Sequence, residues 1–150
     1  MAAAKAAAPV APAAPAYEAP AAPAKPAIQY GGGYFAADML PVAVTTTETR
    51  PNYILVTLDG SEPSFEGVAA GTTSYCPSGQ KLPLTKSTIV KVRTILFTAE
   101  GAPYQTADGA YLYGDVVEAT FTKVTAPAAP EFTPAAGEYN DSVVVSISCE

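Results

Sequence analysis

The sequence predicts an all-β protein: an antiparallel β-sandwich preceded by an extended arm rich in alanine and proline. Three observations carry this. Short segments of alternating or β-branched character recur through the middle of the chain, clusters of turn residues separate them, and no stretch keeps a helical period of useful length.

Residues 1–26 form the arm. They are almost entirely Ala and Pro, relieved by Lys5, Val10, Tyr17, Glu18 and Lys25, and so bury too little side chain to offset the entropy of ordering. Pro9, Pro12, Pro15, Pro20, Pro23 and Pro26 block helix propagation and favour extended, polyproline-like backbone with unpaired carbonyls. Such a segment serves as a spacer or as a ligand. Because extended Pro-rich backbone loses little entropy on binding, Pro9, Pro12, Pro15, Tyr17, Pro20 and Pro23 are the candidate partner-binding residues. A secretory leader needs a strongly apolar run, which these prolines interrupt, so none is expected here. Nor does any run of roughly eighteen apolar residues suggest a membrane span.

Residues 27–124 form the expected module. Gly31, Gly32 and Gly33 mark a turn, and residues 41–47 (PVAVTTT) are rich in β-branched side chains. Residues 53–58 (YILVTL) read as a buried strand that Asp59 and Gly60 close with a tight turn. A long loop dense in Ser, Thr, Gly and Pro is expected over 61–79. In residues 88–97 (TIVKVRTILF), Val90, Val92 and Leu96 share one face and Lys91 and Arg93 the other. Val117, Ala119 and Phe121 likewise alternate with Glu118 and Thr120. Several short strands over about a hundred residues fit an immunoglobulin-like sandwich.

An internal repeat extends the reading. Pro23, Pro26, Ile28 and Gly33 correspond to Pro127, Pro130, Phe132 and Gly137, and with a gap Asp38 and residues 41–44 correspond to Asp141 and residues 143–146. Residues 125–150 are therefore expected to be a linker and the first strand or strands of a second module. Val143, Val145, Ile147 and Cys149 alternate, which makes Cys149 a core residue and 143–149 an apolar strand. Exposed alone, such a strand is an aggregation hazard. It is expected to belong to a longer polypeptide, the competing expectation being that it completes a neighbouring copy head to tail.

Composition narrows the chemistry. A net charge of −6 without a Lys/Arg cluster disfavours nucleic acid and anionic membranes. There is no histidine, which removes Ser-His-Asp and Cys-His catalysis. Cys76 and Cys149 are no disulfide framework and suit a reducing compartment; Cys76 has no cationic neighbour nearer than Lys81 and reads as an unreactive loop cysteine. Asp59, Ser61, Glu62 and Glu66 gather oxygens but lack the spacing of an EF-hand, so turn chemistry explains them better than calcium. Paired carboxylates for glycoside hydrolysis need a shielded cleft, which a hairpin tip does not offer. Tyr104, Tyr111 and Tyr113 are the candidates should the module stack on sugars instead.

The motifs also resemble a known family. Residues 54–64 (ILVTLDGSEPS), with Asp59, Gly60, Ser61, Glu62 and Pro63 at the turn, resemble the hallmark of the chitobiase/β-hexosaminidase C-terminal repeat, also called the fibronectin-III-associated repeat, in which a Tyr-rich strand runs into Asp-Gly-Ser-x-Pro-Thr. Residues 87–93 (STIVKVR) are similar to its next signature strand, 114–122 (GDVVEATFT) to its closing strand, and 127–149 to the start of another copy. Val56 and Leu58 depart from the Tyr and Thr often found there, and the loop over 65–79 is long. The resemblance covers 27–123 and leaves the arm outside. It implies a small immunoglobulin-like sandwich acting as an accessory or spacer module, without catalysis or cofactor. Intracellular Ala/Pro-rich chains with this repeat resemble proteins of protist flagella and cytoskeletons. The expectation is a scaffold protein, cytoplasmic or flagellar, docking through its arm on a cytoskeletal polymer such as a microtubule; the alternative is a carbohydrate-binding module of a secreted glycan-active protein.

Overall fold

The computed structural model describes residues 20–148. In chain order the elements are β1 (Ala27–Ile28), β2 (Gly33–Phe35), β3 (Leu40–Thr45), β4 (Asn52–Thr57), α1 (Phe65–Ala70), β5 (Ser74–Cys76), β6 (Lys81–Leu84), β7 (Thr88–Leu96), β8 (Val117–Lys123), β9 (Glu131–Thr133) and β10 (Ser146–Ser148). The fold is all-β with one short helix among the described residues. No helix there is long and apolar enough to cross a membrane.

Alternation builds two sheets around one core. The first sheet has the order β1-β3-β6 and is antiparallel throughout. The second has the order β2-β8-β7-β4-β5, antiparallel except where β2 runs parallel to β8 with Gly33 opposite Phe121. Ile28, Val42, Val44, Leu82 and Leu84 of the first sheet and Phe35, Ile54, Val56, Val90, Val92 and Phe121 of the second share one buried cluster. Each large apolar side chain contributes about 1.5–3 kcal/mol by leaving water. A one-residue slip would turn a strand's whole set outward, so burial fixes register.

The N-terminal strands belong to different sheets, and the crossing is made by Tyr30 through Gly33, all at positive φ. Gly32 is also a close approach: a Cβ there would stand 2.8 Å from the Thr120 carbonyl oxygen. Only glycine fits this point.

The structure departs from expectation in four places. The stretch 61–79 is not one loop. Ser64 caps α1 by accepting the Gly67 N–H at 2.9 Å, Gly71 ends the helix in the left-handed region, and β5 then pairs with β4. Cys76 is consequently a strand residue, 1% exposed, rather than a loop cysteine. Next, β6 has no counterpart in the sequence reading; its Pro83 is exposed and stands opposite Pro41 on an edge strand, where a missing N–H costs no ladder bond. The face of β7 bearing Lys91 and Arg93 is also covered in part, because Ile95 and Leu55, which stands opposite Arg93, are fully buried.

The fourth difference concerns the repeat. Of the strand expected over 143–149, the described residues form β10, which pairs antiparallel with β9, Phe132 opposite Ile147. Between β1 and β3, Ile28 stands opposite Val44. Ile147, not Ser146, therefore occupies the place of Val44, one residue from the alignment drawn from sequence; the shift restores the same side-chain face. Val143, Val144 and Val145 are exposed ahead of β10. Cys149, expected in the core, lies outside the described residues.

Candidate functional site

The turn after β4 is built from its own side chains. Asp59 Oδ1 accepts the Ser61 N–H at 2.9 Å and the Ser61 hydroxyl at 2.6 Å, and these bonds hold the Asp59 carboxyl below its ordinary value. Thr57 Oγ1 donates to the Ser61 carbonyl at 2.6 Å, and Pro63 is fully buried. Glu62 turns toward β7, 3.9 Å from Lys91 Nζ and 3.8 Å from Arg93. In the motif Asp59, Gly60, Ser61, Glu62 and Pro63, Asp59 and Ser61 thus bond to each other, Glu62 reaches β7 and Pro63 anchors the turn in the interior. Among the described residues no three His, Cys, Asp or Glu side chains gather as a metal site would require.

Of the candidate arm residues, Pro9, Pro12, Pro15 and Tyr17 lie outside the described residues. Pro20 and Pro23 lie within them, on a stretch, 20–26, that forms neither helix nor ladder yet is held against the module. Glu48 is the clamp. Its side chain is 5% exposed and binds Arg50 at 2.7 Å, while its Oε2 accepts the Ala24 N–H at 2.9 Å. Arg50 donates in turn to the carbonyls of Ala21, at 2.8 Å, and Ala22, at 3.3 Å. The Arg50 hydrogen bond is the main cause that lowers Glu48 from 4.5 to about 2, with burial opposing it and the Ala24 N–H assisting. Pro23 and Pro26 are buried and Pro20 half-buried, whereas Ala21, Ala22 and Lys25 are exposed.

A second feature arises where strands distant in sequence meet. The order β5-β4-β7 sets Tyr75 beside Tyr53 (ring centroids 5.2 Å apart), and Tyr53 edge-on to Phe97 (5.5 Å). Phe65 at the start of α1 continues the cluster from Phe97, at 6.2 Å, to Tyr111, at 4.8 Å, and Tyr111 meets Tyr113 at 6.1 Å. Arg93 lies over the Tyr113 ring, 3.6 Å from its centroid, and the Tyr113 hydroxyl accepts the Phe65 N–H at 2.8 Å. Burial is the leading cause that pushes the hydroxyls of Tyr75 and Tyr113 upward.

The two ends of this cluster differ. Tyr111 and Tyr113, candidates for sugar stacking, are half-buried packing residues, and Tyr104 is half-buried nearby on the same loop. Tyr53 and Tyr75 remain 44% and 38% exposed and, with Pro51, Phe97, Ala99 and Gly101, line an open groove of about 560 Å³ that carries no charged side chain. The sequence reading did not single out Tyr53, Tyr75 or Phe97. The one available signal was the position of Tyr53 in a strand whose next residue, Ile54, faces the core, which turns Tyr53 outward.

The fold and surface together define an all-β module with a self-bonded turn, a clamped N-terminal extension and an uncharged aromatic groove. Comparison with family models, curated proteins and solved structures gave no match.

Proposed function

We propose that this protein is a non-catalytic scaffold of a cytoskeletal assembly, an immunoglobulin-like module docking through its N-terminal arm. The sandwich reading is supported by the strand order. β1-β3-β6 corresponds to A-B-E and β2-β8-β7-β4-β5 to A′-G-F-C-C′, with the first strand divided between sheets. The β9–β10 pair, registered like β1 and β3, fits the opening of a second module and so a tandem spacer.

The observation that carries the scaffold reading is the Glu48–Arg50 clamp. It ties the carbonyls of Ala21 and Ala22 and the N–H of Ala24 to the module, so the arm is fixed to it at residues 21–24. An extended Pro-rich segment offered in that way suits a long partner surface such as a microtubule, in the flagellum or cytoskeleton. Co-sedimentation of the full chain with polymerised tubulin, beside a chain lacking residues 1–19, is the test. Pelleting of the full chain alone is expected; recovery of both in the supernatant sinks the reading.

The exposed pair Tyr53 and Tyr75 favours a second reading, a carbohydrate-binding accessory module stacking its rings on sugars. Retention on chitin that is lost in Tyr53→Ala would establish it in place of the first.

A further inference from the structure

Pro9, Pro12 and Pro15 stand three residues apart, as do Pro20, Pro23 and Pro26. Polyproline II turns once every three residues, so prolines at this spacing would line up on one face of such a helix. The second trio is used in that way: its prolines are buried or half-buried on the module while Ala21, Ala22 and Lys25 face solvent. Its contacts step backward along the arm as they step forward along the module, from Ala24 at Glu48 to Ala22 and Ala21 at Arg50. The next module residue is Pro51, where the aromatic groove begins. The next arm residue is Pro20, and residues 1–19 lie beyond it, outside the described residues.

We propose that the groove of Pro51, Tyr53, Tyr75 and Phe97 is the seat of this chain's own first proline trio, Pro9, Pro12 and Pro15. The second trio ends beside Arg50, which immediately precedes the groove's Pro51 in sequence. The five residues from Pro15 to Pro20 span about 16 Å in polyproline II. Chemistry matches as well: residues 9–15 (PVAPAAP) carry no charge and neither does the groove. Flat aromatic rings grip proline rings, and a pre-extended strand loses little entropy in settling there. The seat lies within one chain and stands independently of any polymer partner. It turns the faces between the prolines, Val10 and Ala13 among them, outward.

The test is nuclear magnetic resonance on the full chain. Cross-relaxation is expected between the Pro12 ring protons and the rings of Tyr53 or Phe97, and it is expected to vanish in Tyr53→Ala. A full-length variant with Pro9→Ala, Pro12→Ala and Pro15→Ala, which leaves the module untouched, is expected to shift the Tyr53 and Phe97 ring resonances while the buried Val92 methyls stay in place. Absence of the Pro12 cross-peaks, or unmoved Tyr53 and Phe97 rings in the triple variant, overturns the proposal. A mixture of differently labelled chains separates the sources, because cross-peaks between chains would put the trio on a neighbouring copy and refute the intramolecular seat.

Discussion

Replacing Glu48 by Gln removes the charge at the centre of the arm clamp while keeping its shape. The wild-type carboxyl falls from 4.5 to about 2 on folding, which at 1.36 kcal/mol per pKa unit corresponds to a ceiling of about 3 kcal/mol. Arg50, its main partner, has a side chain 36% exposed, so solvent screens the pair and about 1–2 kcal/mol is the expected cost. The sign follows from the depressed folded value. Glu48 stabilises the fold fully above its unfolded pKa of 4.5, and that contribution is lost as pH falls toward about 2. Urea unfolding across this window is therefore expected to show the wild type converging on Glu48→Gln at low pH, with the gap widest near neutrality. The exposed carboxyls of Asp59, Glu100 and Asp108 are also lowered, chiefly by bonds to Ser61, Thr98 and Thr106, but they are common to both chains and cancel in the difference. Amide exchange at Ala24 gives the local readout, since its N–H donates to Glu48, and it is expected to quicken in the variant. Parallel acid profiles for the two chains, with Ala24 exchange unchanged, would refute the clamp.

Three further outcomes are expected. Tyr113→Phe removes the acceptor of the Phe65 N–H and should cost about 1–2 kcal/mol in urea unfolding, while Arg93 keeps its aromatic partner. Gly67→Ala should destabilise by about 1–3 kcal/mol, outweighing the helical preference of alanine, because the added Cβ would stand 2.4 Å from the Thr73 hydroxyl oxygen; a stabilised variant in thermal unfolding would contradict this. Cys76 is buried and its thiol pushed up by that burial, so peptide mapping after brief maleimide treatment should find it unlabelled in the folded chain and labelled in urea.

Much of the second sheet was legible because its pattern is local. Val90, Val92, Ala119 and Phe121 alternate within single segments, and alternation alone gives their common face. The helix within 61–79 was not, since six residues hold too few turns for a period and its evidence lies in Ser64 and Gly71 at its ends. Pro83 hid β6 by the same rule that permits it at an edge. The turn motif was visible as turn chemistry. The groove was not, because Tyr53 on β4, Tyr75 on β5 and Phe97 just past the end of β7 are brought together only by sheet order. The clamp escaped for a similar reason: nothing in sequence links Glu48 to Ala24, which lies 24 residues away.

The parallel pairing of β2 with β8 has a mechanical meaning. Residues 20–26 precede β1 and β2, and residues 124–148 follow β8, so tension along the chain pulls these neighbours in opposite directions along their shared axis. Their bonds, from the level of Gly33 and Phe121 to the Val124 N–H on the Phe35 carbonyl, then slide against one another and share the load together. An antiparallel pair pulled apart at one end would surrender its bonds singly. The β2–β8 pair is thus wired to resist stretching along the chain, like a lap joint bonded along its length.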